Sequence, residues 1–137
     1  MTPLSSLSTR LLLLISALAL FSGCTLTPRP ARTAGQLHQV GLVWLKQPGN
    51  QPDQQKVIDA IHAFAKEIPE VIHASIGRTD GIGGPFSDTS YDLCFILTFE
   101  SEAARLRYNE HPTHQKAAQE VFLPLAKKLL FYRFVAE

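Results

Sequence analysis

The chain has 137 residues, a length that suits one domain, and its 45% hydrophobic and 18% charged residues are ordinary for a globular protein. Thirteen Lys and Arg face twelve Asp and Glu, a net charge of +1. The basic residues are scattered rather than gathered into a stripe, which argues against a nucleic-acid partner. Two cysteines rule out a disulfide framework.

Residues 1–23 divide into three zones. Arg10 is the only charge before Arg29, the run from Leu11 to Phe21 is apolar, and Ser22 and Gly23 are small. That is the layout of a secretory signal. The run, about 11 residues, falls short of the ~20 that a membrane span needs. Phe21-Ser22-Gly23-Cys24 resembles the bacterial lipobox, although Leu is more usual where Phe21 stands. The resemblance implies a diacylglycerol on the Cys24 thiol and a new N-terminus there. The competing readings are an ordinary cleaved signal and an uncleaved anchor. Stable anchoring takes more than one acyl chain, such as palmitate. Residues 24–36, with Pro28, Pro30, Arg29 and Arg32, read as an extended tether. The expected location is the cell envelope, with the domain at the periplasmic face of a membrane. Thr25 lacks the Asp that by resemblance retains lipoproteins at the inner membrane, so the outer membrane is compatible in a Gram-negative host. Cys94 would then be the one remaining thiol, and its apolar setting reads as a small buried hydrophobe rather than a nucleophile.

Residues 37–137 read as one domain. Residues 38–45 form a strand bounded by Pro48-Gly49-Asn50. His38, Val40, Leu42 and Trp44 share one face, and Gly41, Val43 and Leu45 the other. Residues 52–68 read as a helix, with Val57, Ile61, Phe64 and Ile68 in one stripe and Pro69 as its stop. A second strand spans 71–78. The Gly-rich connection 79–91 lacks a following helix and a Lys-Ser/Thr pair, so it is no phosphate cradle. A third strand spans 92–99 and is apolar on both faces. Ser101 caps a helix over 102–109. A further helix is expected over 113–127, with Ala117, Val121 and Leu125 at spacings of four and Pro124 as a possible kink, and a last strand over 129–135.

The order β-α-β-β-α-β is that of a ferredoxin-like α+β sandwich. Helices on one face of a four-stranded sheet leave the other face bare, and here that face is also apolar. Such a face seeks a partner, so a homodimer with its sheets packed as an α/β barrel is expected.

One stretch is more specific: Phe99-Glu100-Ser101-Glu102-Ala103-Ala104 followed by Tyr108-Asn109-Glu110-His111-Pro112-Thr113-His114. Together with His38, Ile68-Pro69-Glu70-Val71 and Tyr91-Asp92-Leu93, it resembles the stress-responsive dimeric A/B-barrel (Dabb) family over roughly residues 37–135. The resemblance implies a ferredoxin-like dimer. The family includes stress-associated proteins without assigned chemistry and a plant polyketide cyclase. By that likeness His114 is a candidate general base, Tyr108 its helper, and His38 a neighbour of the same pocket. An imidazole suits proton abstraction beside a carbonyl at neutral pH. The likeness fails at Arg133, where the cyclase has an Asp that orients the base. A cation there would lower the His114 pKa and could not accept its N–H.

The resulting expectations are a ligand pocket at His38, Tyr108, His111 and His114, lipidation at Cys24, no metal and no cofactor. His38 also reads as a structural residue tied to the His111–His114 turn, and Arg105, Arg107, Glu102 and Glu110 as a solvated helix face. Three functions compete. One is a lipid-anchored dimer holding a small apolar ligand in the barrel. The second is a His-dependent cyclase or isomerase, and the third a scaffold bridging envelope components.

Overall fold

The computed structural model describes residues 34–137; the signal segment, Cys24 and the tether up to residue 33 lie outside the described residues. The domain runs β1 (Leu37–Leu45), α1 (Gln51–Glu67), β2 (His73–Arg78), β3 (Leu93–Phe99), α2 (Glu102–Glu110), α3 (Pro112–Ala117) and β4 (Ala126–Val135). A π-helical turn, Ala118–Phe122, and a single α turn, Leu123–Leu125, join α3 to β4. The four strands form one antiparallel sheet in the order β2-β3-β1-β4. This is the expected ferredoxin-like fold.

Local chemistry explains the boundaries. The Asn50 side chain accepts a hydrogen bond from Asp53 N (3.0 Å) and so caps α1, with Pro52 in the first turn. Ser101 caps α2 in the same way through Ala104 N (3.2 Å). Asp92 sits buried just before β3. Its carboxylate accepts from Leu45 N (2.8 Å) and Gly49 N (2.6 Å), tying the end of β1 and its turn to β3.

The long helix expected over 113–127 is broken, and β4 begins at Ala126 rather than at residue 129. Pro124 has no N–H to continue an α ladder. Leu123 N instead reaches back to the Ala118 carbonyl, which closes a π turn. Lys46 then holds the end of this turn, donating from Nζ to the carbonyls of Leu123 (3.0 Å) and Pro124 (2.7 Å). A cationic side chain at a helix C-terminus satisfies carbonyls that have no partner within the helix. Beside it the β1–β4 register slips between Trp44 and Leu45, so β4 starts early.

The helices cover one face of the sheet. On that face Val43, Leu45, Leu93, Leu97 and Phe99 pack against Val57, Ile61 and Phe64 of α1, all almost fully buried. Each such side chain contributes about 1.5–3 kcal/mol through burial. The opposite face holds His38, Val40, Leu42 and Trp44 from β1, with Cys94, Ile96 and Thr98 opposite them on β3. Lys128, Leu130, Tyr132 and Phe134 continue it on β4. No helix of the described residues covers this face, and Ile96, Tyr132 and Phe134 are exposed. Among the described residues no helix is long and apolar enough to cross a membrane.

Candidate ligand-binding site

Antiparallel pairing puts Gln39, Gly41, Phe131, Arg133 and Phe95 on the helix-facing side of the sheet, near the β4 edge. The broken helix passes above them. Between the two layers lies a cavity of about 290 Å³. Its apolar walls are Phe64, Phe95, Phe122, Leu129 and Phe131, and its polar lining comes from Gln39, Arg105, Tyr108, Asn109, His114 and Arg133. This is near the lower end of the ~300–1,000 Å³ typical of small-molecule sites.

Two sequence features shape the cavity. Gly41 lies directly across from Phe95, and a Cβ at Gly41 would collide with the outer end of the Phe95 ring. Glycine here lets the ring lie against the backbone rather than stand up into the void. The π turn acts from the other side by bringing Ala118 and Phe122 into the lining. Phe122 approaches Phe95 (6.5 Å between ring centroids) and Phe64 (6.3 Å).

Tyr108 and His114 lie side by side, with ring centroids 4.4 Å apart. Tyr108 is only 3% exposed and packs on Phe99 and Phe64. Burial holds its phenol well above the ordinary value, against a weaker opposing pull from the Arg105 charge, so the hydroxyl keeps its proton. His114 donates from Nδ1–H to the Asn109 carbonyl (3.1 Å). That bond fixes the tautomer and leaves Nε2 with a free lone pair. Burial lowers the His114 pKa, and the Asn109 bond opposes this in part. The lowering therefore comes from desolvation, whereas a neighbouring cation was the expected cause. The backbone also supplies the acceptor that the resemblance assigned to a carboxylate. Arg133 lines the cavity without engaging His114.

The other two expected pocket residues lie elsewhere. His38 is on the opposite face of the sheet, where Nδ1 lies 3.0 Å from the Thr98 hydroxyl and the ring stacks on Phe134 (4.9 Å). Nor is it tied to the His111–His114 turn. The side-chain alternation of β1 makes both positions unreachable, since even-numbered residues point away from the helices. His111 caps α3, its Nδ1 accepting from Thr113 N (3.2 Å), and does not line the cavity. The cavity itself lies between sheet and helices, not inside a sheet-to-sheet barrel.

Arg105 is a correction in the other direction. Rather than standing on a solvated face, its side chain is largely buried along the cavity, and Nε donates to both Glu102 carboxylate oxygens (3.1 and 3.0 Å). Gln39 was not singled out by sequence reasoning. The signal was present: it is a polar residue on the face of β1 that also carries Val43 and Leu45. Cys94 is half-buried on the open face, and burial raises its thiol pKa, which keeps it in the unreactive form. Among the described residues no three His, Cys, Asp or Glu converge as metal ligands.

Comparison with known proteins agrees with this architecture. No curated protein matches the chain. A Dabb family protein with a ferredoxin-like fold from Mesorhizobium loti is 25% identical, with a TM-score of 0.62 over 75% of this chain and 98% of that one. A hydroxynitrile lyase from Passiflora edulis is 20% identical, with a TM-score of 0.64 over 76% of this chain and 95% of that one. A dimeric ferredoxin-like protein of unknown function from Thermobifida fusca is 19% identical, with a TM-score of 0.62 over 78% and 96% of the two chains. The family model described as Stress responsive A/B Barrel Domain matches residues 37–136. With nearly the whole described domain matched, the chain belongs to the stress-responsive A/B-barrel domain family.

Proposed function

We propose that this protein is a lipid-anchored binding module that holds a small, mainly apolar molecule in the cavity beside Tyr108 and His114. The observation that carries the reading is the cavity itself, an aromatic chamber with several polar side chains converging on one region. Apolar walls with a few placed polar groups are the usual build of a small-molecule site. The anchor rests on Phe21-Ser22-Gly23-Cys24, with residues 24–36 as the tether.

Two copies of the domain pair through the open faces of their sheets. The support is the apolar character of that face, with Val40, Leu42, Ile96, Leu130, Tyr132 and Phe134 together. Similar folds from Thermobifida fusca and Jannaschia are themselves described as dimeric.

Native mass spectrometry of the full-length protein isolated from membranes tests these points together. The expected spectrum shows a diacylglyceryl mass on Cys24, a dimer, and a co-purifying small molecule that is lost in Ala118→Trp, which fills the cavity. An unmodified Cys24 removes the anchor. A bound molecule that survives Ala118→Trp places binding elsewhere.

A second reading follows from His114. With Nδ1–H donated to Asn109 and Nε2 free, the imidazole is arranged as a general base, and the protonated Tyr108 hydroxyl beside it suits a developing oxyanion. The fold accommodates chemistry, as the Passiflora hydroxynitrile lyase demonstrates for its own chain, but a fold does not choose a reaction. Once a ligand is in hand, His114→Gln separates the readings: retained binding with lost turnover marks an enzyme.

A further inference from the structure

The polar side of the cavity is built in a way that an apolar ligand alone does not explain. Gln39 is 6% exposed and Tyr108 3%, yet neither the Gln39 amide nor the Tyr108 hydroxyl makes a hydrogen bond to another described residue. Among the described residues no fully enclosed side-chain polar atom lacks a partner, so these groups reach the cavity's void. Each therefore has a hydrogen-bonding position open toward the same space, where a polar group of a ligand can take the place of water.

Charge identifies that polar group. Gln39 and Arg133 are direct cross-strand neighbours on β1 and β4. Residues paired in this way have Cβ atoms only ~4.5–5.5 Å apart. Arg105 lines the same space but is occupied by Glu102 through its Nε and an Nη. Arg133 makes no ion pair with any described residue, although its charge also reaches Glu102. Two guanidinium groups against one carboxylate leave a single positive charge in excess at the open rim of the cavity, where Arg133 is exposed. Arginine and primary amide donors suit the planar oxygens of a carboxylate. The five apolar walls would enclose the rest of the molecule.

We infer that the ligand is a small monocarboxylic acid with an aromatic or aliphatic body, its carboxylate held by Arg133 and Gln39 and its body packed among Phe64, Phe95 and Phe122. The Tyr108 hydroxyl adds a third donor. The inference rests on the binding reading above and sharpens it to a ligand class.

Isothermal titration of the full-length protein in lipid nanodiscs tests it, with empty nanodiscs as the control for partitioning. The probes are 3-phenylpropionate and its neutral isostere 3-phenylpropionamide. The expected result is about tenfold tighter binding of the acid, a preference of the size a charge-assisted pair provides. Arg133→Met should bring the two probes to within about twofold, while Arg133→Lys keeps part of the preference. Ala118→Trp should abolish both. Equal binding of the two probes to the unmodified protein, or a preference that survives Arg133→Met, overturns the carboxylate assignment and leaves the cavity as a site for neutral ligands. No binding of either probe overturns the binding reading and this inference with it.

Discussion

The two faces of this sheet are built from the same strands, but they present different surfaces. The helix-facing side is closed by α1 and the broken helix, and it interrupts its apolar surface with Gln39, Arg133, Tyr108 and His114 around a cavity. On the open side the middle of the sheet is apolar, with Val40, Leu42, Ile96, Leu130, Tyr132 and Phe134, while His38, Thr98 and Lys128 lie toward its ends, and the aromatic–histidine pair of His38 on Phe134 is a stacking contact. A continuous apolar patch suits docking a copy of itself, whereas a cavity with polar groups in its lining suits a small molecule. His38 and His114 thus lie on opposite sides of the sheet, His38 on the open face and His114 at the cavity.

Substitutions separate the two faces. The largest effect belongs to the helix-facing core. Leu97 is fully buried opposite Gln39, and Leu97→Ala should cost about 2–5 kcal/mol in urea unfolding. A cost near that of an exposed-site change would mean the helix layer is not the core. Next comes the open face. Val40→Asp should convert the dimer to a monomer in sedimentation of the full-length chain, because an unpaired charge in a dry interface costs several kcal/mol. An unchanged dimer would put the interface elsewhere.

Gly41→Ala is smaller and more informative. Its Cβ collides with Phe95, so an overpacking cost of about 1–3 kcal/mol is expected, and the displaced ring should also weaken binding of 3-phenylpropionate. Lost stability with intact binding would show that Phe95 yields away from the cavity. The smallest effect is pH-dependent. Burial holds the folded His114 pKa below the value of about 6.5 for an exposed histidine. Below that value the unfolded chain takes up a proton that the folded chain resists. The contribution is thus full above about pH 6.5 and is lost as pH falls through the folded value. Partial solvent access makes it modest. His114→Gln, which keeps a donor for Asn109, should lose less stability on acidification, and parallel pH curves would remove His114 from the account.

Much of this architecture is legible in the residues. The alternation in β1, the stripe Val57-Ile61-Phe64-Ile68 and the cap at Ser101 all describe elements that form. What alternation cannot tell is which face the helices will cover when both are apolar, and that is why His38 is drawn by resemblance toward a pocket it cannot reach. Arg105 reads as solvated because its partner Glu102 lies one turn away on an exposed helix. Only the tertiary fold shows its stem lying along the cavity. The break after α3 has a subtler cause. A period of four through Ala117, Val121 and Leu125 suggests a continuous helix, but the residues that become buried are Ala117 and Phe122, five apart. Five is the spacing of a π turn.

That turn has an evolutionary consequence. The segment Ala118–Phe122 holds one residue more than an α turn needs over the same span. Leu123 N bonds the Ala118 carbonyl five residues back; with one residue fewer between them, the same two groups would make an ordinary α-helical bond. The chain beyond would keep its direction, and only the side chains within the turn would be re-aimed. A single-residue deletion in this segment is therefore absorbed locally, so related chains can change the length of the cavity roof while the sheet and its open face stay as they are.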